Sequence, residues 1–160
     1  MTRLNLTLAI LLIGGAAAST ATAQTQTERE VTQAILASNA YSNANLTSNP
    51  DDYSALGALE FWSSGGLLQE IPPSGRPDTF DAISIQAKHI RVTPLVEGRA
   101  AVAHYYAEGS LSPAGAAPVG HYLTRVTQVF VKEDGAWKIR SSHWSPITGG
   151  AGTTQTALDE

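Results

Sequence analysis

The sequence predicts an α+β domain in which N-terminal helices pack on one face of a curved antiparallel sheet. Three observations predict it. Apolar residues recur at helical spacing between Glu28 and Asn45. Four segments after Asp81 carry β-branched residues in alternation, and two of them flank the tight turn Glu133-Asp134-Gly135. Helices first and a meander of strands afterwards is the α+β order.

Val31, Ala34, Ile35, Leu36 and Tyr41 form the apolar stripe of the first helix, with Thr27 as the expected cap before Glu28 and Glu30. Asn49-Pro50-Asp51-Asp52 reads as a turn into a second, shorter helix, capped by Asp52 and continued by Tyr53, Leu56, Leu59 and Glu60 to Trp62. Ser63-Ser64-Gly65-Gly66 ends that helix. Leu67 to Ile71 fits a short strand, and the prolines of Pro72 to Pro77 force a loop. Four strands then follow: Ile83 to Thr93, with Pro94 at an edge or strand end, Arg99 to Ser110, Gly120 to Lys132 and Ala136 to Ser145.

Before these elements, Met1-Thr2-Arg3 leads into an apolar run and the small-x-small site Ala21-Thr22-Ala23, the pattern of a cleavable export signal over residues 1–23. The run is shorter than the roughly 20 apolar residues of a membrane span and contains Gly14 and Gly15. The expected product works in the periplasm or outside the cell, with no membrane contact after cleavage. Its domain covers residues 24–147, and the Gly- and Thr-rich segment 148–160 is a loosely ordered tail. Without residues 1–23 the chain has 137 residues, with nine basic against 14 acidic ones, a formal charge of −5. That length suits one hydrophobic core. The acidic balance excludes a basic nucleic-acid footprint. The absence of cysteine excludes disulfides, thiolate metal sites and thiol nucleophiles. His89, His104, His121 and His143 lack short ligand spacing, so no metal and no cofactor are expected.

The turn at Asp134-Gly135 fixes a strand register. A three-residue loop closing between Lys132 and Ala136 sets Val131 beside Trp137, Val129 beside Ile139, Thr127 beside Ser141 and Arg125 beside His143. That face begins apolar and ends in a guanidinium and an imidazole, as a pocket for an apolar ligand with a polar or anionic end would require. The opposite face, with Phe130 and Trp144, would be solvated or a subunit contact.

The series Arg125-x-Thr127-x-Val129, Gly135-x-Trp137-Lys138-Ile139 and His143-x-Ser145 resembles the C-terminal hairpin of SnoaL-like domains, in the nuclear-transport-factor-2-like superfamily. The helix region, Trp62 and the strand Ala100 to Tyr106 fit in order, so the resemblance spans roughly residues 28 to 147. It implies a cone, with a curved sheet around helices and a cavity open at one end, and pairing as a homodimer. It also implies that Arg125, Thr127 and His143 face the cavity. Relatives include ketosteroid isomerases, polyketide cyclases, dehydratases, a kinase association domain and pocket proteins without known activity, so the fold leaves function open.

The expected function is binding of a small, mostly apolar molecule, with Arg125, Thr127, Trp62 and Tyr122 as ligand-binding residues. The alternative is an isomerase, cyclase or dehydratase, with His143 or His104 moving the proton and a tyrosine, Tyr105, stabilising an oxyanion. No Asp aligns with an isomerase base, and Glu108 reads as a solvated strand-end charge. A third reading is an assembly module joined through Phe130 and Trp144.

Overall fold

The computed structural model describes residues 24–76 and 78–147. One long helix, α1 (Gln26–Asn45), and a 3-10 turn (Pro50–Asp52) precede six strands: β1 (Ala58–Phe61), β2 (Gln69–Ile71), β3 (Phe80–Val96), β4 (Ala100–Pro113), β5 (Val119–Glu133) and β6 (Ala136–Pro146). The strands form one unclosed sheet in the order β2-β1-β6-β5-β4-β3. All its pairings are antiparallel except that of β1 with β6. The α+β cone expected from the sequence is therefore present, with a mixed sheet. The export signal and the tail fall outside the described residues.

The cap of α1 is Thr25, whose hydroxyl accepts from the Glu28 amide while the Glu28 carboxylate accepts from the Thr25 amide. Thr27, the expected cap, is instead buried, and its hydroxyl accepts from the Gly98 amide at 2.8 Å. Its own amide donates to Glu97. At the other end of α1, the Asn43 carboxamide exchanges hydrogen bonds with both backbone groups of Ile85, at 2.8 and 2.9 Å. The helix is thus pinned across the concave face at both ends. Between the pins, Val31 and Ile35 settle onto Ala101 and Ala103 of β4, whose small side chains let the helix approach, and onto Phe130, Trp137 and Ile139.

The expected second helix does not form. Gly57 takes φ +74°, and a Cβ there would lie 2.4 Å from the Ile71 carbonyl oxygen, so the chain passes tightly against β2 and enters β1. In β1 the side chains alternate, with Ala58 and Glu60 buried and Leu59 and Phe61 exposed. The apolar spacing that suggested a helix is satisfied by a strand lying between β2 and β6.

The register of the β5–β6 hairpin also differs from expectation. Asp134 (φ +49°) and Gly135 (φ +84°) both have positive φ, as a two-residue type I′ turn requires. Glu133 pairs with Ala136, Lys132 with Trp137 and Phe130 with Ile139. A bulge at Arg140 then shifts the pairing once more, setting Gln128 beside Ser142, Thr127 beside His143 and Arg125 beside Ser145. This one-residue change exchanges the faces of β5. Thr124, Val126, Gln128 and Phe130 point inward, and Arg125, Thr127, Val129 and Val131 point outward.

Glu30 ties α1 to this hairpin. Its carboxylate accepts from Lys132 Nζ at 2.6 Å and from the Trp137 indole at 2.8 Å. These partners, with Gln26, hold its pKa at about 2 instead of 4.5. A depressed carboxyl pKa contributes stability that is present above the unfolded value and lost as pH falls through the folded one. Glu30→Gln is therefore expected to lower Tm at neutral pH and to flatten the loss of Tm between pH 4.5 and about 2, as followed by circular dichroism. An unchanged profile would exclude this tether as a source of stability.

Candidate functional site

The antiparallel strands bring the start of β3, the end of β4, the start of β5 and the end of β6 to one end of the cone, opposite the N-terminus of α1. Phe130, Trp137 and Ile139 form an apolar floor, and a cavity of about 720 Å³ runs from it to the loops at Trp62 to Ser64, Asp78 to Phe80 and Pro113-Ala114. Pockets for small molecules typically span about 300–1,000 Å³ and are largely apolar with a few fixed polar groups.

Of the residues selected from the sequence, Trp62, Tyr105 and Tyr122 line this cavity. Arg125, Thr127, His104 and His143 do not. They lie on the outer face, where strand pairing sets His104, Thr127, His143 and Phe61 in one row. Arg125 and His143 are exposed. Arg125 donates to the Pro146 carbonyl at 3.3 Å, and the His143 ring meets Phe61 edge-on at 5.6 Å. The shared hollow for an anionic end is therefore absent, because the two-residue turn and the Arg140 bulge turn these side chains outward. Phe130 and Trp144 are correspondingly inside, lining the cavity, and form no outer contact. Glu108 pairs with Lys88 at 2.6 Å on the exposed edge, consistent with a solvated charge.

The polar equipment of the cavity is acidic. Glu60, carried inward by β1, is only 5% exposed. The Tyr53 hydroxyl donates to it at a long 3.5 Å, and the Ser142 hydroxyl is close enough to favour its charge. The Trp62 indole N–H is close enough to favour the Glu60 charge, yet Nε1 is buried without a good hydrogen bond among the described residues. Burial raises the Glu60 pKa above the usual carboxylate range, against the opposing effect of Ser142. Asp52 and Asp78 also line the cavity, and burial raises both, opposed chiefly by Ser38 at Asp52 and by Arg76 at Asp78. Tyr53 and Tyr105 are held protonated far above neutral pH by burial and by neighbouring acids. The Tyr105 hydroxyl donates to Gln128 at 2.8 Å, and Gln128 donates to Ser142 at 3.2 Å, fixing the wall beside Glu60.

Glu60 escapes the sequence reading because it sits in a segment with helical spacing and because Glu is seldom buried. The available signal was Gly57, which breaks a helix just before it.

A raised carboxyl pKa means that the native state holds more protons than the unfolded chain, so stability falls as pH rises from the unfolded to the folded pKa and stays lowered above it. Glu60→Gln removes that penalty. Tm at pH 8 should rise by roughly 4 °C, on the order of 1 kcal/mol, with little change at pH 4. A fall in Tm at pH 8 would show that the carboxylate is satisfied as it stands.

The comparisons agree with this architecture. Residues 74–149 match the family model described as a SnoaL-like domain. No curated protein matches the chain. Among solved structures, a nuclear-transport-factor-2-like protein of unknown function from Prochlorococcus marinus is 17% identical, with 78% of this chain and 96% of that chain covered at a TM-score of 0.53. An uncharacterised protein with a cystatin-like fold from Caulobacter vibrioides is 14% identical, with coverage of 82% and 97% and a TM-score of 0.55. A nuclear-transport-factor-2-like protein from Streptomyces avermitilis, proposed to be a dehydratase, is 18% identical, with coverage of 77% and 97% and a TM-score of 0.53. At these identities the likeness concerns fold alone. Residues 74–149 thus match the SnoaL-like domain model, and the cone built around them has the nuclear-transport-factor-2-like fold.

Proposed function

We propose that this protein is exported and binds a small, mostly apolar molecule in its cone cavity, with the ligand's polar end at Glu60, Tyr53 and Trp62. The observation that carries the reading is the cavity of about 720 Å³, apolar at its floor, with an almost fully buried carboxylate that has a long hydrogen bond from Tyr53 and no ion pair among the described residues. A buried polar group without good partners is costly and is commonly retained where a ligand completes it. The export signal read over residues 1–23 supports work outside the cytoplasm.

The neutral apolar dye N-phenylnaphthylamine tests the pocket. It should bind with one site per chain and brighten. Ser42→Trp, on the cavity side of α1, should reduce that binding at least about tenfold while the far-UV circular dichroism is kept. Equal binding by the variant would place the dye elsewhere.

A second reading is acid–base catalysis on such a molecule, as in an isomerase or dehydratase. What favours it is a buried Glu60 with a raised pKa beside the Tyr53 hydroxyl. Glu60 then takes the proton-moving role first given to His143 or His104, which lie outside the cavity.

We also propose that two copies pair through the outer sheet face. Phe61, 45% exposed, Leu59 and Tyr106 form apolar surface there between polar neighbours. Phe61→Glu is expected to shift the mass measured by analytical ultracentrifugation from dimer to monomer. A wild-type monomer at micromolar concentration would rule the pairing out.

A further inference from the structure

Sorting the cavity lining by charge gives a one-sided result. Asp52, Glu60 and Asp78 face the space, and no Lys, Arg or His is among the described residues that line it. Two cations act on these acids from behind the walls. Arg76 is held by Gln69 Oε1 at 3.1 Å, and its charge acts on Asp78. Lys138, bound to the Asp51 carbonyl, acts on Asp52. Neither makes an ion pair with Glu60, the deepest of the three acids by exposure. A buried carboxylate is stable as a charge only when a cation and hydrogen bonds replace its lost water.

The aromatic lining agrees with that demand. Tyr53 and Trp62 flank Glu60, and Tyr105 and Trp144 form an edge-to-face pair across the adjoining wall. Ring faces attract cations, more strongly where water is excluded. The Trp62 ring already does so in this molecule, since the Arg76 guanidinium lies 4.8 Å from its centroid.

We propose that the ligand is an organic cation, an apolar amine or quaternary ammonium whose charged end lies against Glu60 while its hydrocarbon body fills the space above Phe130, Trp137 and Ile139. The proposal rests on the pocket reading above and adds the sign of the ligand's charge. It reverses the polarity expected from Arg125 and His143, neither of which reaches the cavity. Burial raises the pKa of the Glu60 carboxyl, and a cation bound beside it acts in the opposite direction, favouring the carboxylate. The carboxyls that titrate near Glu60 are Asp52 and Asp78, while Tyr53 and Tyr105 stay protonated and Arg76 and Lys138 are the nearby fixed charges.

The test is calorimetric titration of the full folded domain with phenylbutylamine, phenylbutanol and phenylbutyrate, three molecules of similar shape that are cationic, neutral and anionic. The amine should bind at least about tenfold more tightly than the alcohol, and the carboxylate least of all. In the pH range where Glu60 titrates, amine binding should release protons, read as a dependence of the heat on the ionisation enthalpy of the buffer. In Glu60→Gln the preference for amine over alcohol and the proton release should both disappear while alcohol binding persists. If that variant does not fold, Asp52→Asn should reduce the preference by about threefold. Equal or tighter binding of the alcohol or the carboxylate overturns the charge assignment, and leaves the pocket standing if N-phenylnaphthylamine still binds. Failure of all three ligands and of the dye overturns both. An amine preference intact in Glu60→Gln overturns the role of Glu60.

Discussion

The structure depends on one helix being fixed at a set height above a curved sheet. Thr27 fastens its first turn to Gly98 and Glu97, Glu30 fastens its second turn to Lys132 and Trp137, and Asn43 fastens its last turn to Ile85. Near the N-terminus the alanines of β4 let Val31 and Ile35 close down on the sheet into a dry core. Toward the C-terminus the helix presents Ser38, Asn39, Ser42 and Asn43, and Tyr105 and Trp144 hold the wall open. The same element is therefore core at one end and pocket lining at the other. The cavity persists because its roof is held by specific hydrogen bonds and does not depend on apolar collapse.

Within that hollow, β1 supplies the chemistry. It is four residues long, and its position beside β6 turns Glu60 inward next to Ser142 while Leu59 and Phe61 go outward. Burying a carboxylate in this way opposes folding, and the surrounding network only partly offsets it. The Tyr53 contact is long, and the Trp62 indole lacks a well-formed hydrogen bond. Sites that sacrifice stability locally are where binding or proton transfer is usually located.

Much of the fold was legible in the sequence. The helix and the four long strands fall within three residues of their expected bounds, and the Asp134-Gly135 turn was placed correctly. The site was less legible, for two physical reasons. Strand parity carries no tolerance: reading Asp134-Gly135 as part of a three-residue loop, when Asp134 itself accepts positive φ, put Arg125 and Thr127 on the wrong face. The Arg140 bulge, which sets Thr127 beside His143, leaves no trace in local composition. Long-range pairing explains the other miss, since the segment Ala58–Phe61 is held as a strand between the neighbouring β2 and β6, the latter at the far end of the chain. Trp62, Tyr105 and Tyr122 were found without the β5–β6 register, as large aromatic residues suited to a mostly apolar wall.

An unclosed sheet leaves two free borders, and this chain treats each differently. On one side the terminal strand β2 has three residues, too few to template another chain. On the other, β3 runs for 17 residues, a length that would invite a foreign strand if it were regular. It is broken instead by irregular pairing between Lys88 and Arg91, where His89 takes φ +55°, and again around Pro94, which has no amide hydrogen to offer. Lys88 and Arg91 add like charge along the same margin. A protein with no disulfides to restrain it can in this way keep a long open border without polymerising along it.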